Sequence, residues 1–298
     1  MAVSTASILI RYAQLAGAPS LVIAAWRLGL AALVLTPIGL ISRRAELRAL
    51  TRRQAGLALV SGAFLGLHFG AWISSLAYTT VASSVVLVST SPLFVALIAA
   101  VALREEIGRP VKMGLGLTLA GAVTVGVADV CGGPGGCPSW GDLLWGPAIL
   151  GDGLALVGAT AGAIYYSAGR ALRPTMSLTT YIFLTYGTAA VVLAGAVAAA
   201  RLPVTGYAPA VYGLFALLAL VPQLIGHSAF NWALKYLPAT YVAVTTLGEP
   251  VGSVLLAALL LGEAPSGLKL AGSALILAGI AIASGRPSAS QPTAQAHE

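Results

Sequence analysis

Residues 91–122 read "SPLFVALIAAVALREEIGRPVKMGLGLTLAGA" and residues 249–280 read "EPVGSVLLAALLLGEAPSGLKLAGSALILAGI". Slid by 158 positions (249 minus 91), the two align without a gap: Pro92 meets Pro250, Glu105 meets Glu263, Gly114 meets Gly272 and Gly121 meets Gly279. In the same register "LAY" at 76–78 meets "LKY" at 234–236. Nearer the start the offset becomes 159, which pairs Arg11 with Arg170 and "AALVL" with "AVVLA" only loosely. Self-similarity at one long period marks a duplicated architecture.

What is duplicated follows from composition. The chain has 298 residues, 58% of them hydrophobic and 8% charged, with a mean hydropathy of +0.92; an ordinary soluble domain is roughly 25% charged. Apolar runs of about 20 residues recur, each long enough to cross a hydrocarbon layer of about 30 Å as a helix. The fold class is therefore an all-α membrane protein with ten transmembrane helices. Expected spans are Ala2 to Leu15, Ser20 to Ile41, Ala55 to Tyr78, Ala82 to Ala102 and Pro110 to Asp129, then Pro147 to Gly169, Leu178 to Ala200, Pro209 to Ala233, Thr240 to Leu261 and Gly267 to Ser284. Residues 1–129 form the first five-helix repeat, 130–146 an extracytoplasmic loop and 147–284 the second repeat. The stretch 285–298, "GRPSASQPTAQAHE", is too poor in apolar residues to fold and is read as a disordered cytoplasmic tail.

The formal charge of +7 does not point to nucleic acid, because Lys and Arg cluster in alternate loops. Arg43, Arg44, Arg48, Arg52, Arg53, Arg104, Arg109, Lys112, Arg170, Arg173 and Lys235 mark the cytoplasmic side, which places both termini there in a multi-pass protein of the cell (inner) membrane. Five helices per repeat is an odd number, so the second repeat enters the bilayer from the other face. Such inverted repeats are typical of secondary transporters, whose substrate sites lie near midplane where the repeats meet; a duplicated scaffold is the plainer reading. The first helix looks truncated, since Met1 falls on Thr160 whereas the sixth helix starts near Pro147. The expectation is a start codon placed downstream of the true one.

Pro92 followed by "LREE", and Glu249-Pro250 followed by "LLLGE", each with a Gly-rich helix after it, resemble the ten-helix EamA-type branch of the drug/metabolite transporter superfamily. The likeness covers nearly the whole chain, twice. It implies an inner-membrane permease rather than an enzyme, often an exporter of amino acids or other small metabolites. It also implies a central cavity lined mainly by helices 1, 3, 4, 6, 8 and 9.

Polar side chains inside a bilayer are costly, so their positions point to function. In the ninth helix Thr246, Glu249 and Ser253 share a face, with Glu249 expected about nine residues in, near midplane. A carboxyl there can hold a proton and release it to a cationic group or water, which makes it a proton-coupling or ammonium-binding site. The plainer alternative is a permanently neutral acid bonded to a carbonyl freed by Pro250. Its repeat partner is Ser91; with Ser84, Ser89 and Thr90 it either lines the cavity or bonds back to its own helix. His68, Trp72 and Ser75 align on the third helix, and Gln223, His227 and Asn231 on the eighth, as cavity lining or interhelical glue. Arg27 is expected to snorkel to the outer interface, with pairing to a substrate carboxylate or to Glu249 as the alternative. One of Tyr165 and Tyr166 faces the cavity, and Tyr166 is taken as the candidate.

Glu105 and Glu263 are read as interfacial caps or salt-bridge partners, and the paired glycines as close-packing sites within the monomer or across a homodimer. Cys131 and Cys137, in "CGGPGGC", fall in the outer loop, where a disulfide is possible chemistry and C-x5-C without a nearby His is a poor metal site. No cofactor or metal is implied. The partners expected are a small-molecule solute, protons and the lipid bilayer. Two other classes compete: a lipid-handling or accessory membrane protein, which needs a cavity open sideways, and an intramembrane hydrolase using Ser228 with His68 as base.

Overall fold

The computed structural model describes residues 2–103, 109–131, 146–237, 239, 242, 246 and 248–284, and among these every regular element is helical. A 3-10 turn at Val3–Thr5 leads into α1 (Ala6–Leu15), followed by α2 (Ser20–Ser42), α3 (Arg44–Ala49), α4 (Arg52–Ser75), α5 (Val81–Val88), α6 (Ser91–Leu103) and α7 (Arg109–Cys131). The second half holds α8 (Pro147–Leu172), α9 (Leu178–Ala199), α10 (Pro209–Leu218), a π-helical stretch (Ala219–His227), α11 (Ser228–Ala233), α12 (Gly248–Leu261) and α13 (Gly267–Ser284). Among the described residues six spans are long and apolar enough to cross a membrane: Ser20–Ser42, Arg52–Ser75, Val81–Ile98, Pro147–Leu172, Leu178–Ala199 and Pro209–Ala233. Shorter apolar helices cover Lys112–Val125, Gly252–Leu261 and Gly267–Ile282.

Proline explains where the helices depart from unbroken rods. Pro92 has no N–H for the Val88 carbonyl, and the expected single helix from Ala82 to Ala102 is instead two, α5 and α6, meeting at Ser89 and Thr90. Ser91 Oγ donates to the Val88 carbonyl at 2.9 Å in place of the missing amide. Pro250 likewise has no N–H for Thr246, 158 residues after Val88. There the backbone N–H of Glu249 donates to the Thr246 carbonyl at 2.8 Å. Thr246 lies in a turn and α12 begins at Gly248, so Glu249 stands in the first turn of a helix rather than nine residues inside one. Pro222 sits within the π-helical stretch, whose wider turn replaces the unbroken eighth helix expected between Pro209 and Ala233.

Glycines set the helix seams. A Cβ on Gly121 would come within 2.6 Å of the Gly272 carbonyl oxygen, and one on Gly279 within 2.6 Å of the Gly114 carbonyl oxygen. The paired glycines therefore pack α7 against α13 inside one chain. A Cβ on Gly62 would meet the Thr185 carbonyl at 2.7 Å, joining α4 of the first half to α9 of the second. Without a hydrophobic force between helices in lipid, this close backbone approach supplies the dispersion contact.

The two ends carry polar ties between the halves. At one end Arg11 pairs with Glu263 at 3.3 Å, Arg11 also donates to the Leu76 carbonyl, and Glu263 accepts the Val81 N–H at 2.9 Å, capping α5. At the other end Glu46, on the unexpected short helix α3, accepts from Ser177 N at 2.7 Å, Ser177 Oγ at 2.6 Å and Thr180 Oγ1 at 2.8 Å, which caps α9. Burial pushes the Glu46 carboxyl up. Its bonds from Ser177 and Thr180, with the charge of Arg43, outweigh that and hold it below its ordinary value. Arg173, read from sequence as a loop charge, is 2% exposed; its Nε donates to the Asn231 carbonyl at 2.9 Å and locks α8 to α11. Glu105 and Cys137 lie outside the described residues, and with them the cap or salt bridge expected of Glu105 and the disulfide expected between Cys131 and Cys137. The tail 285–298 also lies outside them.

Candidate functional site: a buried guanidinium between the halves

Arg27 is fully buried on α2, not snorkelled to the interface as expected. Its face of α2 packs against α4 and the π-helical stretch, which leaves no path to the surface. Its Nε donates to Gln223 Oε1 at 2.8 Å, and its guanidinium carbon lies 4.0 Å from the Phe69 ring centre and 6.0 Å from that of Trp72. Stacking on an aromatic face offsets part of the cost of desolvating the cation. Nη1 and Nη2 have no hydrogen-bond partner among the described residues. The group is thus oriented on one edge and unspent on the other.

The walls around it come from both halves. On α4, His68 Nδ1 sits 2.8 Å from the Gly158 carbonyl; since a carbonyl only accepts, Nδ1 carries the proton, and Nε2 is the nitrogen left for other contacts. Gly162 is needed there, because a Cβ at that position would lie 2.9 Å from His68 Nδ1. Trp72 is 2% exposed, yet its indole Nε1 has no partner among the described residues. From the π-helical stretch, Gln223 holds Arg27 through Oε1, while its Nε2 faces the Tyr186 hydroxyl outside hydrogen-bond geometry. His227 packs edge-on against Phe69 at 5.1 Å, with Nδ1 unpartnered. Buried polar atoms are ordinarily bonded; here Arg27 Nη1 and Nη2, Trp72 Nε1, Gln223 Nε2 and His227 Nδ1 have no partner among the described residues.

Glu249 is partly buried at the start of α12, where the helix dipole favours negative charge. Glu249, Tyr186 and Tyr166 lie within electrostatic range of Arg27. The only ion pair within 4 Å among the described residues is Arg11 with Glu263, so Glu249 and Arg27 interact at longer range than a salt bridge. Tyr166 is buried and in electrostatic range of Glu249, whereas the Tyr165 hydroxyl donates to Asn231 Oδ1 at 2.7 Å.

The remaining candidates sit apart from this centre or are fully committed. Asn231 Nδ2 donates to the Tyr186 hydroxyl at 3.2 Å, so its amide ties α8, α9 and α11 together. Ser91 Oγ donates to the Val88 and Ala159 carbonyls. Ser253 Oγ donates to the Ser4 carbonyl at 3.1 Å. Thr246 is partly buried in its turn. Ser228 meets the Tyr186 hydroxyl at 3.2 Å, and His68 is bonded to Gly158 instead of Ser228. Among the described residues no group of three His, Cys, Asp or Glu is placed to hold a metal.

Sequence reading missed three features. Phe69 was hidden among apolar neighbours, though its position beside His68 on α4 was visible. The π-helical stretch had Pro222 as its only signal. Asp152, 7% exposed on α8, was passed over although an acid within an apolar helix is a signal in itself.

Two surface grooves lie away from the cluster. One, of about 400 Å³, runs between α2 and α9 and is lined by apolar residues including Val22, Leu30, Leu33 and Val197, together with Trp26. The other, of about 300 Å³, runs between α4 and α8 past Phe64 and Ile164.

The family model of EamA-like transporters matches residues 1–127 and 149–285. A solved crystal structure superposes with a TM-score of 0.62 at 20% sequence identity, covering 94% of this chain and 93% of that one; at that identity the likeness concerns the fold. No curated protein matches the chain.

Proposed function

Because the chain belongs to the EamA-like transporter family, and is therefore a multi-pass membrane transporter of the drug/metabolite type, we propose that it is a secondary transporter moving a small metabolite by alternating access around the Arg27–Glu249 cluster. The observation that carries this reading is a buried, aromatic-walled guanidinium with unspent donors, built from α2 and α4 of one half and the π-helical stretch of the other. Ten helices in two inverted repeats, 1–129 and 147–284, with both termini in the cytoplasm of an inner-membrane protein, give the frame for the rocking motion. Glu249 is the coupling group: it faces Arg27 without pairing to it, and a proton or a substrate cation can take the place of that long-range attraction. His68, Trp72, Gln223, His227 and Tyr166 line the site, while Thr246, Ser91 and Asn231 hold the helices that present it. The export direction, with an amino acid as the type of cargo, rests on the family resemblance.

The occluded cluster and the polar ties at both ends fit an intermediate closed to either side. The groove between α2 and α9 is the feature that would favour lipid handling. Its polar atom, Trp26 Nε1, already donates to the Val204 carbonyl at 3.0 Å, so nothing there is left to recognise a headgroup. The test is a release and resistance screen over amino acids and other metabolites, in cells with and without the protein. Reconstitution of the hit in proteoliposomes follows. A solute that accumulates outside only when the protein is present supports the reading; a flat screen together with lipid scrambling by the same vesicles overturns it.

A further inference from the structure

We propose that the free edge of Arg27 is the receptor for a carboxylate on the transported solute, with Trp72 Nε1 as a flanking donor. This deepens the transporter reading and rests on it. The warrant is geometric. Arg27 is fully buried, its Nε edge is fixed by Gln223 Oε1 at 2.8 Å, and its plane is set by Phe69 at 4.0 Å. Nη1 and Nη2, the two terminal nitrogens, are left without partners. A guanidinium so fixed offers two N–H bonds to a planar acceptor with two oxygens, which is the carboxylate geometry.

Charge decides between carboxylate and larger anions. Arg27 is the one Arg or Lys in the cluster, and Glu249 is within electrostatic range of it. A phosphate dianion would leave a buried net charge there with no second Arg or Lys of the cluster among the described residues, at a cost of several kcal/mol. A singly charged carboxylate matches the single cation when Glu249 carries its proton, so solute binding and protonation of Glu249 go together. Trp72 Nε1, buried and unpartnered, gives a further neutral donor on the same wall, 6.0 Å from ring centre to guanidinium. A purely structural arginine spends a terminal nitrogen on a carbonyl as well as its Nε, as Arg173 does with Nη1 on Met176 and Nε on Asn231 in the same chain.

The probe is butyrate, with butyramide as its neutral isostere and inorganic phosphate as the larger anion. Saturation-transfer NMR is recorded on the purified full chain in lipid nanodiscs. Saturable butyrate binding is expected at or below about 100 mM, as suits a fragment of so few atoms, with butyramide and phosphate silent. Arg27→Lys keeps the charge but loses the fork and is expected to weaken binding at least about tenfold. Trp72→Phe keeps the ring and loses one donor, for about a three- to tenfold loss. Thermal unfolding of each variant, matched to the parent, shows that the fold is kept; should Arg27→Lys unfold, Trp72→Phe carries the test. Equal binding of butyramide, unchanged affinity in a folded variant, or no saturation by butyrate overturns the inference. Flux of a neutral or cationic solute alongside that failure leaves the transporter reading standing, while butyrate binding in a protein that moves no solute removes the transporter reading alone.

Discussion

Ser91 and Glu249 occupy corresponding positions in the two halves, each just before a proline, and the structure uses them in opposite ways. Ser91 spends its hydroxyl on the carbonyl that Pro92 leaves open and on the Ala159 carbonyl of α8. At Glu249 the backbone N–H does that repair, and the carboxyl remains in the first turn of α12, within electrostatic range of Arg27. One position closes a break in a helix; the other turns the same break into a place where a charge can sit. The difference teaches that the duplicated proline supplies the opening, and the residue before it decides whether a side chain or the backbone closes it.

The largest effect is expected from Glu249→Gln. The amide is nearly isosteric and leaves the Glu249 N–H to Thr246 bond intact, so expression is kept while proton-linked flux in proteoliposomes is abolished or uncoupled. Equal proton-linked flux would take Glu249 out of the mechanism and make the two positions alike. Asn231→Ala comes next, because it strands the Tyr165 hydroxyl in the core and leaves the Tyr186 hydroxyl with Ser228 alone. A loss of about 1–3 kcal/mol is expected, read as a fall in thermal stability in detergent; no fall would mean that those hydroxyls find each other or water.

Ser91→Ala sharpens the contrast from the other side. Transport is retained and stability drops by about 1 kcal/mol, the worth of an ordinary hydrogen-bonding group; a transport defect without a stability defect would place Ser91 in the site. The smallest effect belongs to Glu46, far from both prolines. Its folded carboxyl is held below its ordinary value of 4.5, so its contribution is fully present above about that pH and is lost as pH falls through the lower folded value. Glu46→Gln should therefore flatten the acid limb of the stability profile. Solvent screening keeps the change at neutral pH under about 1 kcal/mol. An acid limb unchanged in the variant would mean the Ser177 and Thr180 bonds contribute nothing.

Much of the frame was legible because a bilayer admits few solutions. Apolar runs of spanning length, "LREE" and "LLLGE" after prolines at one period, and glycines seven apart indicated a helical transporter of this family before any contact was known. The glycine seams between α7 and α13 followed the repeat, although their location inside one chain did not. Arg27 shows where pattern stops. An arginine seven residues into a helix can snorkel or be buried, and the choice depends on whether Phe69 and Gln223, 42 and 196 positions away in sequence, arrive beside it.

The sequence by itself determined the all-helical membrane class and the polar residues that a membrane makes expensive, because hydropathy acts locally. Only the tertiary structure decided which of those residues are spent and which are left over. Asn231, Ser91 and Arg173 are bonded out by neighbours distant in sequence, while Arg27, Trp72 and Glu249 keep groups to offer. Hydrogen-bond saturation depends on what packing brings within about 3 Å, and no local pattern encodes that.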